Sequence, residues 1–332
     1  MPRTTKASLK SMINEVGFVG KSLISINDLS DDQLYGLFEV AKALEPWNRS
    51  QIDLMKGKMA VLLFFQPSTR TRMSFQTAME RLGGMVISEA NPQVTSSVAK
   101  EESLADMMRC VSQYANIIAL RHYDDVEARD GASYSEVPVV NGGWGHWEHP
   151  TQALLDLYTL YRIFGHVEGL NVCVAAADLI EARTGHSMAY GLARLGANVT
   201  LASPAAKKVP AEVTDRIRGE FGCQISEVFD CDRAGFQEIV KEQDLVYLPG
   251  CSAPKGATAD AFKKVMDDYF VDFDTLDAAA KLGKNIYVTH TLPRRAGEMD
   301  LRIDNTAHQL YFRAILHSVS LRMGLISIML GA

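Results

Sequence analysis

The sequence predicts an α/β fold of about two domains, built on parallel sheets with helices on both faces. Its 332 residues exceed the roughly 150 residues of a typical domain about twofold. Short apolar and β-branched runs alternate with helical patterns along nearly the whole chain, and this alternation is typical of parallel sheets. Apolar residue types make up 47% of the chain and charged types 22%, which is an ordinary globular composition rather than a disordered one.

The charge balance and the cysteines exclude several classes of protein. With 34 basic and 40 acidic side chains the net charge is −6, whereas a dedicated nucleic-acid binder carries a basic excess. No apolar run approaches the ~20 residues that span a bilayer, and the segment MPRTTKASLK lacks the apolar core of a signal sequence. The five cysteines are scattered and form no CxxC pair. We therefore expect a cytoplasmic protein with reduced thiols, no thiolate metal site, no nucleic-acid partner and no membrane association.

The elements can be placed along the chain from their patterns. The first clear helix follows Ser30, which is predicted to form a capping box with Gln33, and Pro46 ends it. The apolar run MAVLLFF at 59–65 is typical of a strand buried on both faces, and a helix over about 69–82 follows it. A long helix begins near Pro150, where we place the domain boundary, and the last helix spans about 307–330. Further strands are predicted at 116–120, 137–140, 171–176, 198–202, 245–248 and 285–288.

The segment STRTR at 68–72 is suited to a phosphate group. It lies directly after a predicted buried strand and opens a helix, where free backbone N–H groups and the helix dipole favour an anion. Arginine binds phosphate oxygens through two hydrogen bonds, and two arginines in a first helical turn oppose the dipole unless an anion is present. The simpler alternative is an over-capped helix with a solvated arginine face. The GxxxxGK[ST] pattern of nucleotide-triphosphate loops does not occur in the sequence.

Two further clusters of polar residues accompany this segment. His149 and Gln152 lie three residues apart at a predicted helix start, so both side chains can reach one place and orient a carbonyl and an NH2 group. A structural capping histidine is the simpler interpretation of that motif. Arg121 and His122 follow one predicted strand, and HTLPR at 290–294 follows another. Ligand sites of parallel sheets gather at such carboxyl ends, although HTLPR alone is also compatible with a simple turn.

Taken together, these motifs resemble the aspartate/ornithine carbamoyltransferase family over nearly the whole chain. STRTR after a strand, RH, HPTQ and HxLPR occur in the order and spacing of that family, a far more specific signal than any one of them. The resemblance implies two α/β domains joined by helices. Residues 1–150, with a C-terminal helix at about 307–332, would bind carbamoyl phosphate, and residues 151–306 would bind an amine acceptor. It also implies a homotrimer whose active sites are shared between neighbouring subunits.

The resemblance assigns the carbamoyl phosphate site residue by residue. The residues that match this site are Ser68, Thr69, Arg70, Thr71, Arg121, His149, Gln152, Leu292 and Pro293. The first four match the segment that holds the phosphate. Arg121 matches the arginine between the phosphate and the carbonyl oxygen, and His149 matches the histidine on that oxygen. Gln152 and the backbone carbonyl of Leu292 match the groups that hold the carbamoyl NH2. The expected catalytic residues are Arg70, Thr71, Arg121, His149 and Gln152.

The resemblance also assigns part of the acceptor site. Arg183 matches the arginine that receives the acceptor's α-carboxylate in the aspartate branch, and Leu292 belongs to this side of the site as well. Ser96 and Lys100 match a serine and a lysine that an adjacent subunit inserts into the site. The expected small-molecule partners are therefore carbamoyl phosphate and an amine acceptor.

The sequence departs from the family where the acceptor's second carboxylate would be held. Gly250 and Ser252 stand where aspartate enzymes supply an arginine and a glutamine. Gln66 replaces a glutamate that helps domain closure, and Thr291 stands where aspartate enzymes usually have proline. We therefore expect an acceptor other than L-aspartate, with Arg183 still receiving one carboxylate.

The chemistry implied is attack of an amine on the carbamoyl carbon as phosphate departs. Each donor preset on the carbonyl oxygen is typically worth ~3–4 kcal/mol, and Thr71, Arg121 and His149 are the candidates. The departing phosphate can take the proton of the amine, so we expect no cofactor and no metal. A dinucleotide-dependent oxidoreductase is disfavoured because the segment AAAD at 175–178 lacks GxGxxG. A true aspartate carbamoyltransferase and a non-catalytic trimeric relative stay open as alternatives.

Overall fold

Two parallel sheets organise the protein. The computed structural model describes residues 5–97, 101–250 and 259–332, and every strand pair within these sheets is parallel. The chain divides into a first unit, residues 1–158 with 315–332, and a second unit, residues 159–314. Each sheet is flanked by helices, so the predicted fold class is confirmed. The chain passes from one unit to the other within the helices Pro150–Phe164 and Tyr311–Leu330.

The first unit carries a four-stranded sheet of order β2-β1-β3-β4. Its strands are β1 (Met59–Phe64), β2 (Met85–Glu89), β3 (Ile117–His122) and β4 (Val139–Trp144). Its helices are α1 (Lys6–Glu15), α2 (Asp31–Leu44), α3 (Thr69–Arg81), α4 (Pro92–Thr95), α5 (Leu104–Ser112) and α6 (Asp125–Ser133), and α7 (Pro150–Phe164) leads out of it. Because the strands are parallel, the segments that follow β1, β3 and β4 all begin at one edge of the sheet.

The second unit carries a five-stranded sheet of order β7-β6-β5-β8-β9. Its strands are β5 (Asn171–Ala175), β6 (Asn198–Ser203), β7 (Ile225–Phe229), β8 (Leu245–Leu248) and β9 (Tyr287–His290). Its helices are α8 (Arg183–Arg194), α9 (Ala211–Gly219), α10 (Arg233–Glu242), α11 (Ala259–Asp268) and α12 (Phe273–Lys281), and α13 (Tyr311–Leu330) follows. The carboxyl ends of β5, β8 and β9 share one edge, and Leu248 pairs with His290 there.

Local sequence explains the elements that position the site. In β1 all residues after Met59 are buried, as expected for a central strand that is apolar on both faces. At the start of α2 the Ser30 Oγ accepts from the Gln33 backbone at 3.2 Å and the Gln33 side chain accepts from the Ser30 backbone at 3.0 Å. This is the predicted capping box. The helix α3 ends before Gly83, whose φ of +83° stops it.

The structure corrects several predicted boundaries. The edge strands β2 and β7 were not predicted, because neither contains a run of consecutive buried residues like those of β8 and β9. Arg121 and His122 are the last two residues of β3 rather than residues beyond it. The last helix begins at Tyr311 and not near 307, because the preceding backbone pairs with β9: the Val288 N–H donates to the His308 carbonyl at 2.8 Å.

One helix within the described ranges, α13, is long and apolar enough to cross a membrane by length and composition alone. This differs from the expectation that no stretch of the chain approaches that size. The helix contains Arg313 and Arg322, and 67% of its apolar window is buried inside the protein. A core helix of a globular protein has the same properties, so α13 is weak evidence for a membrane span.

Candidate active site

The start of α3 combines features that suit an anion. Ser68 is the N-cap residue, and its side chain makes no capping hydrogen bond. Thr69 and Arg70 are exposed, whereas Thr71 is buried. Desolvation lowers the pKa of the Arg70 guanidinium, which nevertheless stays charged at neutral pH. The first turn therefore presents hydroxyls and a cation at the positive end of the helix dipole.

Arg121 and His149 meet at the edge of the same sheet. Arg121 pairs with Phe64, the last residue of β1, so it lies beside the segment that leads to Ser68. Its Nη1 donates to the Gly142 carbonyl at 2.9 Å and lies 3.4 Å from Nε2 of His149. His149 is buried directly before α7. A guanidinium and an imidazole thus stand side by side in a protected place, where hydrogen bonds are stronger than in water.

Gly143 makes this arrangement possible, a role that the sequence pattern did not reveal. Its φ is +110°, and a Cβ at this position would lie 2.7 Å from Nη1 of Arg121 and 3.1 Å from Cδ2 of His149. The buried Asn141 accepts from the Gly143 N–H at 2.7 Å and donates to the Ile24 carbonyl at 2.8 Å. The NGGWG pattern was the available signal, but only the fold reveals what the second glycine must avoid.

Gln152 has a fixed orientation in the first turn of α7. Its Nε2 donates to Oδ2 of Asp156 at 3.0 Å, and Asp156 is itself buried. In this contact the NH2 group of the Gln152 amide is turned toward Asp156. The amide oxygen is the end suited to a ligand NH2, as the resemblance requires of Gln152.

Ser96 and Lys100 were expected to serve the site of a neighbouring subunit. Ser96 follows α4, is partly buried, and donates through Oγ to the Pro92 carbonyl at 2.6 Å. Lys100 lies outside the described residues. This hydrogen bond lies within its own loop, and the role of Ser96 toward another subunit stays a prediction.

Arg183 opens helix α8 in the second unit. It is partly buried, and desolvation lowers the pKa of its guanidinium to about 10. Thr184 Oγ1 donates to the Pro249 carbonyl at 3.4 Å, so the first turn of α8 lies against the segment that follows β8. A cation in this setting is suited to a single carboxylate.

The segment after β8 leaves little room for a side chain at position 250. Gly250 has a φ of +70°, and a Cβ there would lie 3.3 Å from Cε1 of His290. Thr291 holds this segment, because its Oγ1 donates to the Pro249 carbonyl at 2.7 Å and its N–H donates to the Leu248 carbonyl at 3.2 Å. An arginine at position 250 would need both a strained backbone and a shift of His290. Ser252 lies outside the described residues.

His290 and Glu298 fix the backbone of Leu292. The Leu292 N–H donates to Nδ1 of His290 at 2.8 Å, so the neutral imidazole carries its proton on Nε2 and donates from there to Oε2 of Glu298 at 2.9 Å. Leu292 has a φ of +56°, and the peptide bond to Pro293 is cis. Arg294 donates to Asp304 at 3.0 Å and is thereby tied into the second unit. Glu298 was not predicted, because nothing in HTLPR indicates a partner eight residues beyond its histidine.

The histidine, cysteine and carboxylate side chains of the described ranges are the possible metal ligands, and the cysteines are the possible reactive thiols. No group of three or more His, Cys, Asp or Glu side chains within these ranges could hold a metal ion. Cys110, Cys173, Cys223 and Cys231 are free thiols. Burial raises the pKa of the Cys173 thiol, so this residue is an unreactive core thiol.

Comparison with known families agrees with this arrangement of a phosphate-suited helix start and an arginine–histidine pair. The aspartate/ornithine carbamoyltransferase carbamoyl-P binding domain matches residues 21–162, and the Asp/Orn binding domain of the same family matches residues 168–329. The chain belongs to the aspartate/ornithine carbamoyltransferase family. It is a carbamoyltransferase that moves the carbamoyl group of carbamoyl phosphate to the amino group of an amino-acid-like acceptor and releases phosphate.

Individual relatives differ in the acceptor that their names state. Ureidoglycine carbamoyltransferase of Rubrobacter xylanophilus is 64% identical over 326 residues, which cover 98% of this chain and 96% of that protein. The aspartate carbamoyltransferase catalytic subunit of Pyrobaculum arsenaticum is 39% identical, covering 94% of this chain and 98% of that protein. Among solved structures, aspartate transcarbamoylase from Trypanosoma cruzi with carbamoyl aspartate and phosphate has a TM-score of 0.84 at 29% identity, covering 95% of this chain and 97% of that chain. The catalytic subunit of M. jannaschii aspartate transcarbamoylase has a TM-score of 0.80 at 32% identity, covering 92% and 96%.

Proposed function

We propose that the amine acceptor is ureidoglycine, an amino acid with one carboxylate and a neutral ureido group. The observation that carries this proposal is Gly250, packed against His290 where a second carboxylate would need an arginine. A buried carboxylate without a cationic partner costs several kcal/mol, so L-aspartate is a poor acceptor. The relative of 64% identity, whose name states ureidoglycine as its acceptor, supports the same choice.

The donor half of the reaction uses the first unit. Ser68, Thr69, Arg70 and Thr71 bind the phosphate of carbamoyl phosphate at the start of α3, where the helix dipole and a guanidinium offset its charge. The amide oxygen of Gln152 accepts from the carbamoyl NH2, because Asp156 holds the other end of the amide. In the second unit, the backbone carbonyl of Leu292, with Pro293, holds the same NH2.

The chemical step is a displacement at the carbamoyl carbon. The amine nitrogen forms a bond to this carbon while the bond from carbon to the phosphate oxygen breaks, and the nitrogen passes its proton to the departing phosphate. Charge that develops on the carbonyl oxygen is stabilised by Thr71, Arg121 and His149, at typically ~3–4 kcal/mol for each preset donor. Arg183 receives the acceptor's carboxylate, so the amine is held in line for the attack.

We further propose a cytoplasmic homotrimer in which Ser96 and Lys100 complete the site of a neighbouring subunit. Exposed apolar side chains, Met73 on α3 and Met85 and Ile87 on β2, support an interface between copies of the chain. These side chains are 54%, 51% and 47% exposed, and β2 is an edge strand. Exposed apolar groups beside an unpaired strand edge are suited to cover by another subunit. The free thiols support the cytoplasmic location.

The acceptor is tested by phosphate release at saturating carbamoyl phosphate. We expect kcat/KM for freshly prepared ureidoglycine to exceed that for L-aspartate at least about a hundredfold, since one unpaired buried carboxylate costs several kcal/mol. A reaction without acceptor and the Arg121→Ala variant give the background. If kcat/KM for L-aspartate exceeds that for ureidoglycine, the protein is an aspartate carbamoyltransferase and the proposal is wrong. Release at background level with every amine would instead indicate a non-catalytic relative.

A further inference from the structure

The second unit contains a small pocket at the carboxyl ends of β5 and β8. It is lined by residues 175–177, Leu248, Gly250, Met266, Tyr269 and Glu298. Two of these side chains carry polar groups, and both are deeply buried: Tyr269 is 4% exposed and Glu298 is 6% exposed. Polar groups buried in an otherwise apolar pocket fix the orientation of a small ligand group.

The Tyr269 hydroxyl has a weak acceptor beside it in the protein. It is buried without a hydrogen bond of good geometry to the described residues, and its polar neighbours are the Cys231 thiol and the Asp230 backbone. Burial, and after it the Cys231 thiol, raises the pKa of this hydroxyl, so it stays a protonated donor. A thiol is a weak acceptor, so a ligand carbonyl would be a better partner for this hydroxyl.

Glu298 presents a fixed carboxylate to the same pocket. Its Oε2 accepts from Nε2 of His290 at 2.9 Å and from the Arg295 N–H at 2.5 Å. Its Oε1 lies 3.7 Å from the position that a Cβ of Gly250 would occupy. A carboxylate has about four lone-pair positions, so Glu298 can accept from a ligand in addition to its protein partners. The missing side chain at Gly250 leaves room for that ligand.

We infer that this pocket binds the neutral ureido end of the acceptor, with Glu298 accepting from its N–H groups and Tyr269 donating to its carbonyl oxygen. The inference rests on the proposed function and names two residues that determine specificity. A planar ureido group offers donors and one acceptor, which complement a carboxylate and a hydroxyl. A second carboxylate in its place would face the negative charge of Glu298, so the pocket also rejects aspartate by repulsion.

The arrangement around Pro249 connects this pocket to the carboxylate site. Thr184 Oγ1 donates to the Pro249 carbonyl at 3.4 Å, and a Cβ on Gly185 would lie 3.6 Å from Cβ of Pro249. Arg183 therefore opens a helix whose first turn touches the residue before Gly250. One acceptor molecule can place its carboxylate on Arg183 and its ureido end in the pocket.

Binding of reaction products tests the inference without the labile acceptor. Carbamoylation of ureidoglycine gives an acid with two ureido groups on one carbon, whereas N-carbamoylglycine has the same carboxylate and a single ureido group. In the presence of phosphate we expect the diureido acid to bind wild-type protein at least about tenfold more tightly. Glu298→Gln and Tyr269→Phe should each remove most of this advantage, and Tyr269→Phe should leave the affinities for N-carbamoylglycine and carbamoyl phosphate unchanged. Glu298→Gln should also tighten the binding of N-carbamoyl-L-aspartate.

The outcomes separate this inference from the proposed function. If wild-type protein binds both products equally and does not carbamoylate ureidoglycine, the proposed function fails. If wild-type protein prefers the diureido acid and both variants keep that preference, the inference is overturned while the proposed function stands. Tyr247→Phe is the matched control, because Tyr247 is a buried tyrosine of β8 outside the pocket lining. An equal loss in this control also overturns the inference. Carbamoyl phosphate affinity and thermal unfolding verify that each variant is folded.

Discussion

Gly143 allows the side chains of Arg121 and His149 to lie next to each other. Its missing Cβ leaves the space that Nη1 of Arg121 occupies, and the glycine also adopts a backbone conformation unfavourable for other residues. The chemical groups are thus positioned by a residue that performs no chemistry itself.

Gly143→Ala should therefore impair catalysis more than stability. A Cβ 2.7 Å from Nη1 forces the guanidinium away, and we expect kcat to fall about a hundredfold, as when one preset donor is lost. Steady-state kinetics measure this loss. Gly57→Ala is the matched control, because Gly57 has a φ of +82° and nothing within 4 Å of its would-be Cβ. Comparable loss of activity in the control would mean that backbone strain, and not the displaced side chain, is responsible.

Arg183 gives acceptor binding a pH limit. Its guanidinium has a pKa of about 10, so the cation is present below this pH and is lost as the pH rises through it. The dissociation constant of a non-reacting carboxylate, N-carbamoylglycine, should be constant to about pH 9 and then rise about tenfold for each pH unit above 10. Calorimetry in the presence of phosphate measures it. An affinity that is unchanged up to pH 11 would contradict this pH limit.

At the scale of elements, the edge strand β2 exposes two apolar side chains of the first unit. Met85 and Ile87 lie two residues apart and so project from the same face of the strand, and both are about half exposed. An edge strand with such a face favours association unless something covers it.

Charging this face should dissociate the protein. The double variant Met85→Glu, Ile87→Glu would bury two charges without cationic partners at the subunit contact, and we expect monomers in sedimentation velocity where the proposed wild-type species is a trimer. Leu282→Glu serves as the control, since Leu282 is 88% exposed and belongs to the second unit. A double variant that stays trimeric would place the interface elsewhere.

The elements also illustrate what a sequence pattern can predict. The boundaries of β1 and α3 agree with prediction within about one residue, because a continuous apolar run and a polar helix start are both local signals. The strands β2 and β7 could not be predicted, since neither contains a run of consecutive buried apolar residues. The candidate donor-site residues were proposed from motifs, whereas Gly143 and Glu298 have neighbours that only the tertiary fold brings near them.

At the scale of the whole molecule, the proposed trimer implies sites assembled from two chains. Lys100→Ala and Arg121→Ala should each inactivate the protein alone, because one removes the neighbour's cation and the other removes the chain's own. Mixed trimers of the two variants contain intact sites, and activity should return to about a third of the sites in each hybrid. Phosphate release by hybrids of verified composition measures this recovery. Hybrids that stay inactive would count against shared sites.

The contact between Thr291 and Pro249 has a consequence for how this enzyme can diversify. Residues proposed to choose the acceptor follow β8 and β9 in the second unit. The phosphate-binding turn follows β1 in the first unit, and the arginine–histidine pair consists of a residue at the end of β3 and one directly before α7. Drift after β8 can therefore exchange one amine for another without altering the machinery that activates carbamoyl phosphate. In laboratory evolution, a library confined to the neighbourhood of Gly250, Tyr269 and Glu298 is the economical starting point for new carbamoylated products.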